Sequence, residues 1–374
     1  MSDKSRVIKT ISIWGLLLLF TLFLPTIFIG QHHEEDPIIS EKDHEEMAEL
    51  GFEAGEMIIE HITDAYEWHI ITIGHKHISI YLPVILYDEG DWHVFMSSKF
   101  HHGHESYKGY FISELEMNSG KIVKFDETGN EIRPTLDISI TKNVVAIFMS
   151  TLFMIIVFIS VARAYTRRKG HAPKGLQSFL EPIIIFIRDD IAKASIGEKR
   201  YERYLPFLLT IFFFILINNI LGIIPFFPGG ANVTGNIGVT GVLALFTFII
   251  TTFSGNKNYW THIFNAPGVP WWLKIPVPLM PVVELMGVFT KPFVLMVRLF
   301  ANITAGHIII LGFISLIFIF GEMSTGLGFG VSVVSVGFSI FMDFLELLVA
   351  FIQAYVFTLL SALYFGMATE EAHH

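Results

Sequence analysis

The sequence predicts an all-α polytopic membrane protein with about five transmembrane helices, preceded by an acidic α+β domain outside the membrane. The first observation behind this fold class is composition, because 52% of the 374 residues are hydrophobic and only 16% are charged. That balance is typical of membrane proteins rather than of a large soluble core. The second observation is segregated charge. Acidic residues outnumber lysines and arginines by 15 over residues 31–142, whereas the rest of the chain has an excess of five basic residues. We therefore divide the chain into residues 1–30, 31–142 and 143–374.

The first segment, residues 1–30, has the layout of a secretory signal. Lys4, Arg6 and Lys9 precede an apolar stretch from Ile11 to Ile29, which corresponds to a basic n-region followed by an h-region. No A-x-A cleavage pattern precedes residue 31. The sequence therefore predicts either a signal peptide that is removed or a signal anchor that remains.

The acidic segment, residues 31–142, alternates polar and apolar residues in the manner of a small α+β domain. Helical spacing is present around residues 47–62. Asp-Glu-Gly at 88–90 and Glu-Thr-Gly at 127–129 predict turns. Alternation typical of strands occupies three stretches: residues 69–73, 78–82 and 92–96.

Three apolar stretches in the third segment have the length of a single span. The basic run from Arg163 to Lys174 follows the first of them, so the positive-inside rule places that end in the cytoplasm. The domain before it is therefore expected in the periplasm. Gly175 to Arg203 mixes isoleucines with charges and predicts an interfacial amphipathic helix. The predicted spans are Val144–Ala162, Leu205–Phe227 and Ile237–Phe253.

Two longer apolar stretches, Pro281–Phe320 and Leu327–Met367, close the chain around a turn at residues 321–326. Each has about 40 residues, or roughly 60 Å as a helix, against a hydrocarbon core of about 30 Å. Each stretch could make two spans or one strongly tilted helix. A tilted hairpin is favoured because it keeps Arg298 away from a short loop, and it leaves the C-terminus in the cytoplasm.

Arg298 is the most informative residue, because it lies deep in the first of these stretches. An arginine at the centre of a membrane helix costs roughly 2.5–3.5 kcal/mol on insertion scales and about 10–17 kcal/mol in simulations of a lone helix. Its guanidinium cannot deprotonate at biological pH. A fixed charge of this kind suits a device that discharges carboxylates without carrying the proton itself.

The other polar residues of the first arm are regularly spaced around this arginine. Glu284, Lys291, Arg298 and Ala305 are seven residues apart, so they drift only about 20° per step and form one stripe. Asn302 lies one turn beyond Arg298 on nearly the same face.

On the second arm, Asp343 precedes Glu346 by one turn, and Gln353 follows Glu346 by seven residues. Measured from Thr325, Arg298 lies 27 residues back and Gln353 lies 28 residues on, so an antiparallel hairpin sets them at one depth. His307 and Glu346 lie 18 back and 21 on, closer to the turn.

Titratable groups thus approach a permanent cation from both membrane faces, with Glu284 on the cytoplasmic side. This layout predicts two offset half-channels rather than one continuous pore. Less specific interpretations stay open. His307 could be a core histidine, Glu284 a charge at a helix N-terminus, and Asp343 a partner of Ser335 or of a loop group.

Several chemistries are excluded or disfavoured by the sequence. The chain has no cysteine, which excludes disulfides, thiolate metal sites and cysteine nucleophiles. It has no Walker loop and no Gly-x-Ser-x-Gly, so we expect no nucleotide chemistry, no enzymatic activity and no cofactor in this chain. Histidines such as those at 101, 102 and 104 lack zinc-site spacing, and no basic stripe predicts nucleic-acid binding.

The segment Arg298-Leu-Phe-Ala-Asn-Ile-Thr-Ala-Gly-His resembles the signature of subunit a of the bacterial F-type ATP synthases. The resemblance extends over residues 144–369. Further features carry it: the Lys291-Pro292 step, Glu284 fourteen residues before the arginine, the segment 217–225, and Gln353 within Ile-Gln-Ala-Tyr-Val-Phe.

The resemblance implies a stator subunit of the inner membrane whose partners are the c-ring, the peripheral-stalk subunit b and lipid. Arg298 would face the ring carboxylates, Gln353 would support it, and Asn302 would line the path. His307, Glu346 and Asp343 would serve the outer half-channel, and Glu284 the cytoplasmic one. Many bacterial members have the acid on the first arm and the histidine on the second, whereas here the two are exchanged.

Two other classes of membrane protein are alternatives to the stator subunit. A self-contained secondary transporter should show inverted repeats, and none pairs residues 144–253 with 281–367. An intramembrane hydrolase would need a Ser/His or Asp/Asp pair at the right depth. The choice between H⁺ and Na⁺ stays open, as does the role of the acidic domain, either a spacer contacting other subunits or a source of negative potential at the outer entrance.

Overall fold

The computed structural model describes residues 54–73, 76–115, 117–168, 170–224, 227–264 and 279–370. The predicted signal segment, residues 1–30, lies outside the described residues. The described chain has two parts, a β-rich domain up to residue 141 and a helical domain after it.

In the described residues, the β-rich domain contains one short α-helix, a 3₁₀ segment at Ser97–Gly103 and three small antiparallel sheets. Its helix α1, Ala54–Ile62, lies within the stretch where helical spacing was predicted. The sheets contain two, three and three strands, which are numbered β1 to β8 in chain order with the ranges given below. They pair in the orders β1-β2, β4-β3-β8 and β5-β6-β7. The three predicted strand regions and the two predicted turns are confirmed. The strands are β1 Glu67–Ile73, β2 Lys76–Tyr81, β3 Pro83–Asp88, β4 Asp91–Met96, β5 Tyr110–Ile112, β6 Ile122–Phe125, β7 Glu131–Ile132 and β8 Leu136–Asp137.

The core of this domain follows from the alternation of strand β3. Val84 and Leu86 are fully buried and pack with Phe100 and Ile122, because alternate side chains of a strand point to one face. Strand β4 pairs with β3 through a two-residue turn in which both Glu89 and Gly90 have positive φ. That turn conformation matches the right-handed twist of the paired strands, and glycine adopts it at no steric cost.

The helical domain contains five helices that are long and apolar enough to cross a membrane, which confirms the polytopic helical fold. Two further helices of eight or more residues within the described part of this domain, α3 Leu176–Phe186 and α6 Lys257–Phe264, are not among them. The helices are α2 Lys142–Arg167, α3 Leu176–Phe186, α4 Tyr201–Ile223, α5 Ile237–Ser254, α6 Lys257–Phe264, α7 Leu279–Met323 and α8 Thr325–Thr369.

The long C-terminal stretches each form one continuous helix. Helices α7 and α8 have 45 residues each and meet at Ser324, so the hairpin prediction is confirmed over the alternative of four spans. The prediction for the second span was wrong at its end, because α4 stops at Ile223 rather than at Phe227.

Helix α4 lies at the centre of the helical domain, where it packs against α2 and α8. Its side chains Leu208, Ile211, Phe212 and Phe214 are almost fully buried. The segment predicted as amphipathic, residues 175–203, comprises α3, a π-helical turn Ile187–Lys193 and a final turn Ala194–Ile196. The π-helical turn buries Ile187 and Ile191 against the neighbouring helices, while Phe179 of α3 stays exposed.

The two parts of the chain are joined at the first residues of α2. Asp64 accepts hydrogen bonds from the Thr141 hydroxyl at 2.7 Å and from the Asn143 backbone N–H at 3.0 Å. The Lys142 N–H donates to the Ala65 carbonyl at 2.8 Å. These bonds satisfy donors that a helix N-terminus otherwise leaves without partners. They also fix the start of strand β1 beside the N-terminus of α2.

Candidate functional site

His307 and Glu346 meet at the interface of α7 and α8. The His307 Nδ1 lies 2.5 Å from Glu346 Oε1, with the two side chains 15% and 3% exposed. The residues are on different helices, and the continuous hairpin brings them to similar heights. Sequence analysis placed both residues on the turn side of Arg298, and the structure brings them into contact. The two atoms are close but do not meet hydrogen-bond geometry, because Glu346 Oε1 has no hydrogen-bond partner among the described residues. A small reorientation of the two side chains would align them for proton exchange.

Two glycines leave room for this pair. A Cβ atom added at Gly306 would lie 2.9 Å from Glu346 Oε1, closer than such contacts are normally found. A Cβ added at Gly222 of α4 would lie 3.6 Å from His307 Nε2, so this helix passes directly beside the imidazole. Sequence analysis missed both residues. The adjacency of Gly306 to His307 is the signal that could have pointed to one of them.

Asp343 belongs to the same cluster. It lies one helical turn before Glu346, is partly exposed, and interacts electrostatically with both Glu346 and His307. Among the described residues, no hydrogen bond joins it to Ser335. The three groups therefore form a titratable cluster at one height of the hairpin, with Asp343 as its more accessible member.

Arg298 lies on a different face of α7, where its side chain is exposed. Asn302 and the small residues Ala301 and Ala305 share that exposure. Within the described part of the chain, Arg298 forms no hydrogen bond and no ion pair, and its charge acts on Tyr364 of α8. An exposed arginine in a membrane-spanning helix is costly unless another group covers it. The described residues therefore do not cover this face of α7.

The predicted stripe continues from Arg298 toward the start of α7 and becomes more covered. Lys291 is partly buried, and its Nζ lies 5.7 Å from the centre of the Tyr364 ring. A small cavity between α5, α6, α7 and α8 has room for about one water molecule. It is lined by Thr247, Phe248, Thr251, Tyr259, Val288, Lys291, Pro292 and Tyr364.

Glu284 lies near this cavity, at the start of α7, and is partly exposed. Burial raises the pKa of Tyr259 in α6, and the negative charge of Glu284 raises it further. This interaction places the carboxylate within electrostatic reach of the cavity lining. Glu284, Tyr259 and Lys291 thus form a second polar cluster, separate from the His307–Glu346 pair.

Gln353 is buried, with 6% of its surface exposed. No hydrogen bond joins it to Arg298 among the described residues. The structure therefore does not bring the amide and the guanidinium into direct contact, although their distances from the turn are similar.

Hydrogen bonds of Asn219 connect α4 to α8 close to Glu346. Asn219 of α4 accepts a hydrogen bond from the Thr234 hydroxyl at 2.5 Å and donates to the Ala350 carbonyl of α8 at 3.4 Å. Ala350 lies one turn beyond Glu346. Asn219 thus bonds between helices, whereas Asn218 bonds within its own helix, to the Phe214 carbonyl at 2.8 Å.

The histidines of the β-rich domain do not form a metal centre in the described residues, where no group of three possible ligands converges. His102 instead lies 2.7 Å from Glu67, and His101 lies 3.6 Å from Glu105. His75 lies outside the described residues.

Comparison with known proteins identifies the helical domain. The family model described as ATP synthase A chain matches residues 145–366. A second model, described as a domain of unknown function (DUF8433), matches residues 57–147. The helices and the polar clusters described above lie within the first match, and most of the described β-rich domain lies within the second.

Individual relatives agree with that match. ATP synthase subunit a from Chloroherpeton thalassium is 45% identical over 244 residues, which are 64% of this chain and 69% of the relative. ATP synthase subunit a 2 from Chlorobium luteolum is 44% identical over 292 residues, 73% of this chain and 81% of the relative. ATP synthase subunit a from Anaeromyxobacter sp. is 38% identical over 275 residues, 70% and 62% respectively. Because the family model covers more than half of the chain, the chain belongs to the ATP synthase subunit a family, a proton-translocating membrane component of that complex.

Proposed function

We propose that this subunit forms two offset proton half-channels against a rotating c-ring and so couples proton flow to ATP synthesis. The proposal rests on the positions of the titratable residue His307 and the permanently charged residue Arg298 on two different faces of α7. His307 is enclosed and paired with Glu346, whereas Arg298 lies on an exposed face without an ion pair among the described residues. A titratable group that exchanges protons and a fixed charge that does not are thus held on different faces of one helix.

The outer half-channel contains Asp343, His307 and Glu346. A proton arriving at the partly exposed Asp343 passes to the buried pair, where the 2.5 Å contact allows transfer between imidazole and carboxylate after a small reorientation of the side chains. From there it neutralises a ring carboxylate close to Asn302. The exchange of acid and histidine between the two helices, relative to many bacterial members, leaves this pair chemically complete.

The cytoplasmic half-channel contains Glu284, with Lys291 and Tyr259 beside it. A returning ring carboxylate meets Arg298, which stabilises the ionised form and favours release of the proton toward Glu284. The cavity beside Lys291 and Tyr259 offers a position for one relaying water molecule. Each charge that crosses supplies roughly 2.3 kcal/mol per 100 mV of membrane potential.

Arg298 separates the two paths. A continuous row of titratable groups would leak protons across the membrane, and a permanent cation prevents this because it repels a passing proton. Gln353 acts from the buried side of the hairpin at a similar height and supports the position of α8 behind the arginine. The chain itself performs no nucleotide chemistry, which belongs to partner subunits of the complex.

The proposed orientation places residues 31–142 in the periplasm and the C-terminus in the cytoplasm of a bacterial inner membrane, with residues 1–30 as its signal peptide or anchor. The basic run Arg163–Lys174 supports this orientation. Protease added to intact spheroplasts should cleave the acidic domain and spare residues 163–203. Cleavage in inverted vesicles alone would reverse the topology and both half-channel assignments.

Cysteine cross-linking tests the ring contact directly, since the chain has no native cysteine. We expect Ala305→Cys, on the face of Arg298, to form cross-links with a small proteolipid of the assembled complex. Leu152→Cys in α2 is a matched control, because its side chain is also exposed, at 58%, but lies on another helix. Cross-linking at neither position, or equally at both, would contradict the proposed ring-facing surface. Subunit b should copurify with both variants.

A further inference from the structure

The β1–β2 hairpin of the β-rich domain has one polar and one apolar face. Its polar face carries Glu67 and Tyr81, which are cross-strand neighbours, and the imidazole of His102 lies against both. The opposite face carries Trp68, directly paired with Ile80, and Ile78 two residues along the same strand. Since side chains of a strand alternate between faces, these three apolar residues point to one side.

Trp68 joins the apolar face to the helical domain. It is 3% exposed and belongs to the same apolar cluster as Ala146 and Ile147, in the first turns of α2. Its ring meets the Phe227 ring, beyond the end of α4, edge-on at 5.3 Å. The apolar face of the hairpin is therefore already in contact with the ends of two membrane helices.

Ile78 and Ile80 extend this contact beyond the protein. They are 45% and 38% exposed although they share the face of the buried Trp68. The backbone just before β1 is tied to the first residues of α2 through Asp64 and Ala65. The hairpin thus begins at the level of the N-terminus of α2. An apolar surface that is exposed there and continuous with a buried membrane-domain contact meets lipid rather than water.

We propose that the β1–β2 hairpin lies on the bilayer, with Ile78 and Ile80 inserted between the headgroups and the acyl chains beside Trp68. The hairpin then attaches the domain to the lipid surface, and its polar face, with Glu67 and His102, points to water. Interfacial elements bind membranes in this manner when one face is apolar and the other charged. Lipid contact and the bonds of Asp64 together fix how the domain stands on the membrane.

The proposal can be tested by fluorescence quenching on the full chain in the assembled ATP synthase. Single cysteines replace Ile78, Ile80 or His69, are labelled with an environment-sensitive dye, and are reconstituted into phosphatidylcholine vesicles. His69→Cys is the matched control, because His69 is exposed on the opposite face of the same hairpin. Quenching by a phosphatidylcholine spin-labelled near the headgroup is compared with quenching by aqueous iodide.

We expect lipid quenching at Ile78→Cys and Ile80→Cys to exceed that at His69→Cys by about threefold, since lipid contact should follow the two-residue period of the strand. Iodide should show the reverse order. ATP synthesis by each variant reports that the complex has assembled. Strong iodide quenching at residues 78 and 80 would overturn the proposal. Protection from both quenchers would also overturn it, since it would mean that protein, either another subunit or another segment of this chain, covers the face.

Discussion

The β-rich domain and the α7–α8 hairpin use charged residues in opposite ways. In the domain, buried Asp88 lies 2.6 Å from Lys124 Nζ and accepts hydrogen bonds from the Tyr110 and Thr135 hydroxyls. In the hairpin, Arg298 is exposed on a membrane helix and has no ion pair among the described residues. Asp88 is thus satisfied within the chain, whereas Arg298 has no such counter-charge among the described residues.

The difference separates charged residues that stabilise the fold from charged residues that take part in the proposed proton transport. A buried carboxylate with several donors contributes to folding and exchanges protons poorly, because its ionised form is strongly favoured. A charge without an internal partner adds little to folding but can respond to a passing carboxylate. Substitutions in the hairpin should therefore reduce proton transport with little loss of stability. Substitutions in the domain should do the reverse.

The largest effect is expected at Arg298. Arg298→Ala or Arg298→Gln should lower ion-driven ATP synthesis by at least about 100-fold, the scale on which a preorganised charge acts, while ATP hydrolysis by the soluble subunits persists. Arg298→Lys should fail as well, because lysine can lose its charge on burial and presents its donors differently. Val294→Ala, one turn earlier and also exposed, should retain synthesis. Normal synthesis by Arg298→Ala membranes would end the proposed stator role.

A smaller effect is expected at the enclosed pair. His307→Ala and Glu346→Ala should each slow proton flux by roughly 10- to 100-fold, as for removal of a positioned acid or base. The double exchange His307→Glu with Glu346→His should be less harmful than either single exchange, because the two groups are in contact at 2.5 Å. Proton flux into vesicles measures all four variants. Strictly additive losses would show that the residues act independently.

Adding a methyl group beside the His307–Glu346 pair tests how strongly proton flux depends on the position of the Glu346 carboxylate. Gly306→Ala places a Cβ 2.9 Å from Glu346 Oε1 and should displace the carboxylate, lowering flux by about threefold to tenfold. Gly312→Ala is the matched control on the same helix, because a Cβ there meets nothing within 4 Å. Equal flux in the two variants would mean that the position of Glu346 is not critical.

Much of the hairpin could be predicted from sequence because its signals are periodic. Two apolar stretches of similar length around a short turn set which residues lie at similar depths, and counting from Thr325 placed His307 and Glu346 near one another along the hairpin. The heptad spacing from Glu284 to Ala305 likewise predicted a shared stripe. Such inferences need only the rise and period of a helix.

Features that depend on side-chain packing could not be predicted in this way. The close approach of Gly306 to Glu346 depends on how α7 and α8 are rotated about their axes. The bond from Asn219 to Thr234 depends on the path of the loop after α4. Nothing in the local pattern around Trp68 indicated that this strand residue would enter the core of the helical domain, since strand alternation gives a face but not what covers it.

The smallest effect on transport, and the clearest effect on stability, is expected at Asp88. Burial alone would raise the pKa of Asp88, but hydrogen bonds from Lys124, Tyr110 and Thr135 outweigh it and lower the pKa to about 2. Burial and the bond to Asp88 raise the pKa of Tyr110 to about 12. Because the folded-state pKa of Asp88 is below the unfolded value of about 3.9, its ionised form contributes about 2 kcal/mol of stability above pH 4.

Asp88→Asn should therefore raise hydrogen exchange of the Val84 and Leu86 amides by up to roughly 30-fold at pH 7, if these amides open with the whole domain. ATP synthesis should stay within about twofold, since the domain lies outside the proposed proton path. Asp91→Asn, exposed on the same β3–β4 hairpin, should change neither. As the pH falls from 4 to 2, the unfolded chain takes up a proton at this aspartate while native Asp88 stays mainly ionised, so most of the stabilisation is lost by pH 2. The difference between the wild type and Asp88→Asn should then largely disappear. A difference that stays constant over this range would mean that Asp88 stabilises the domain through its shape rather than its charge.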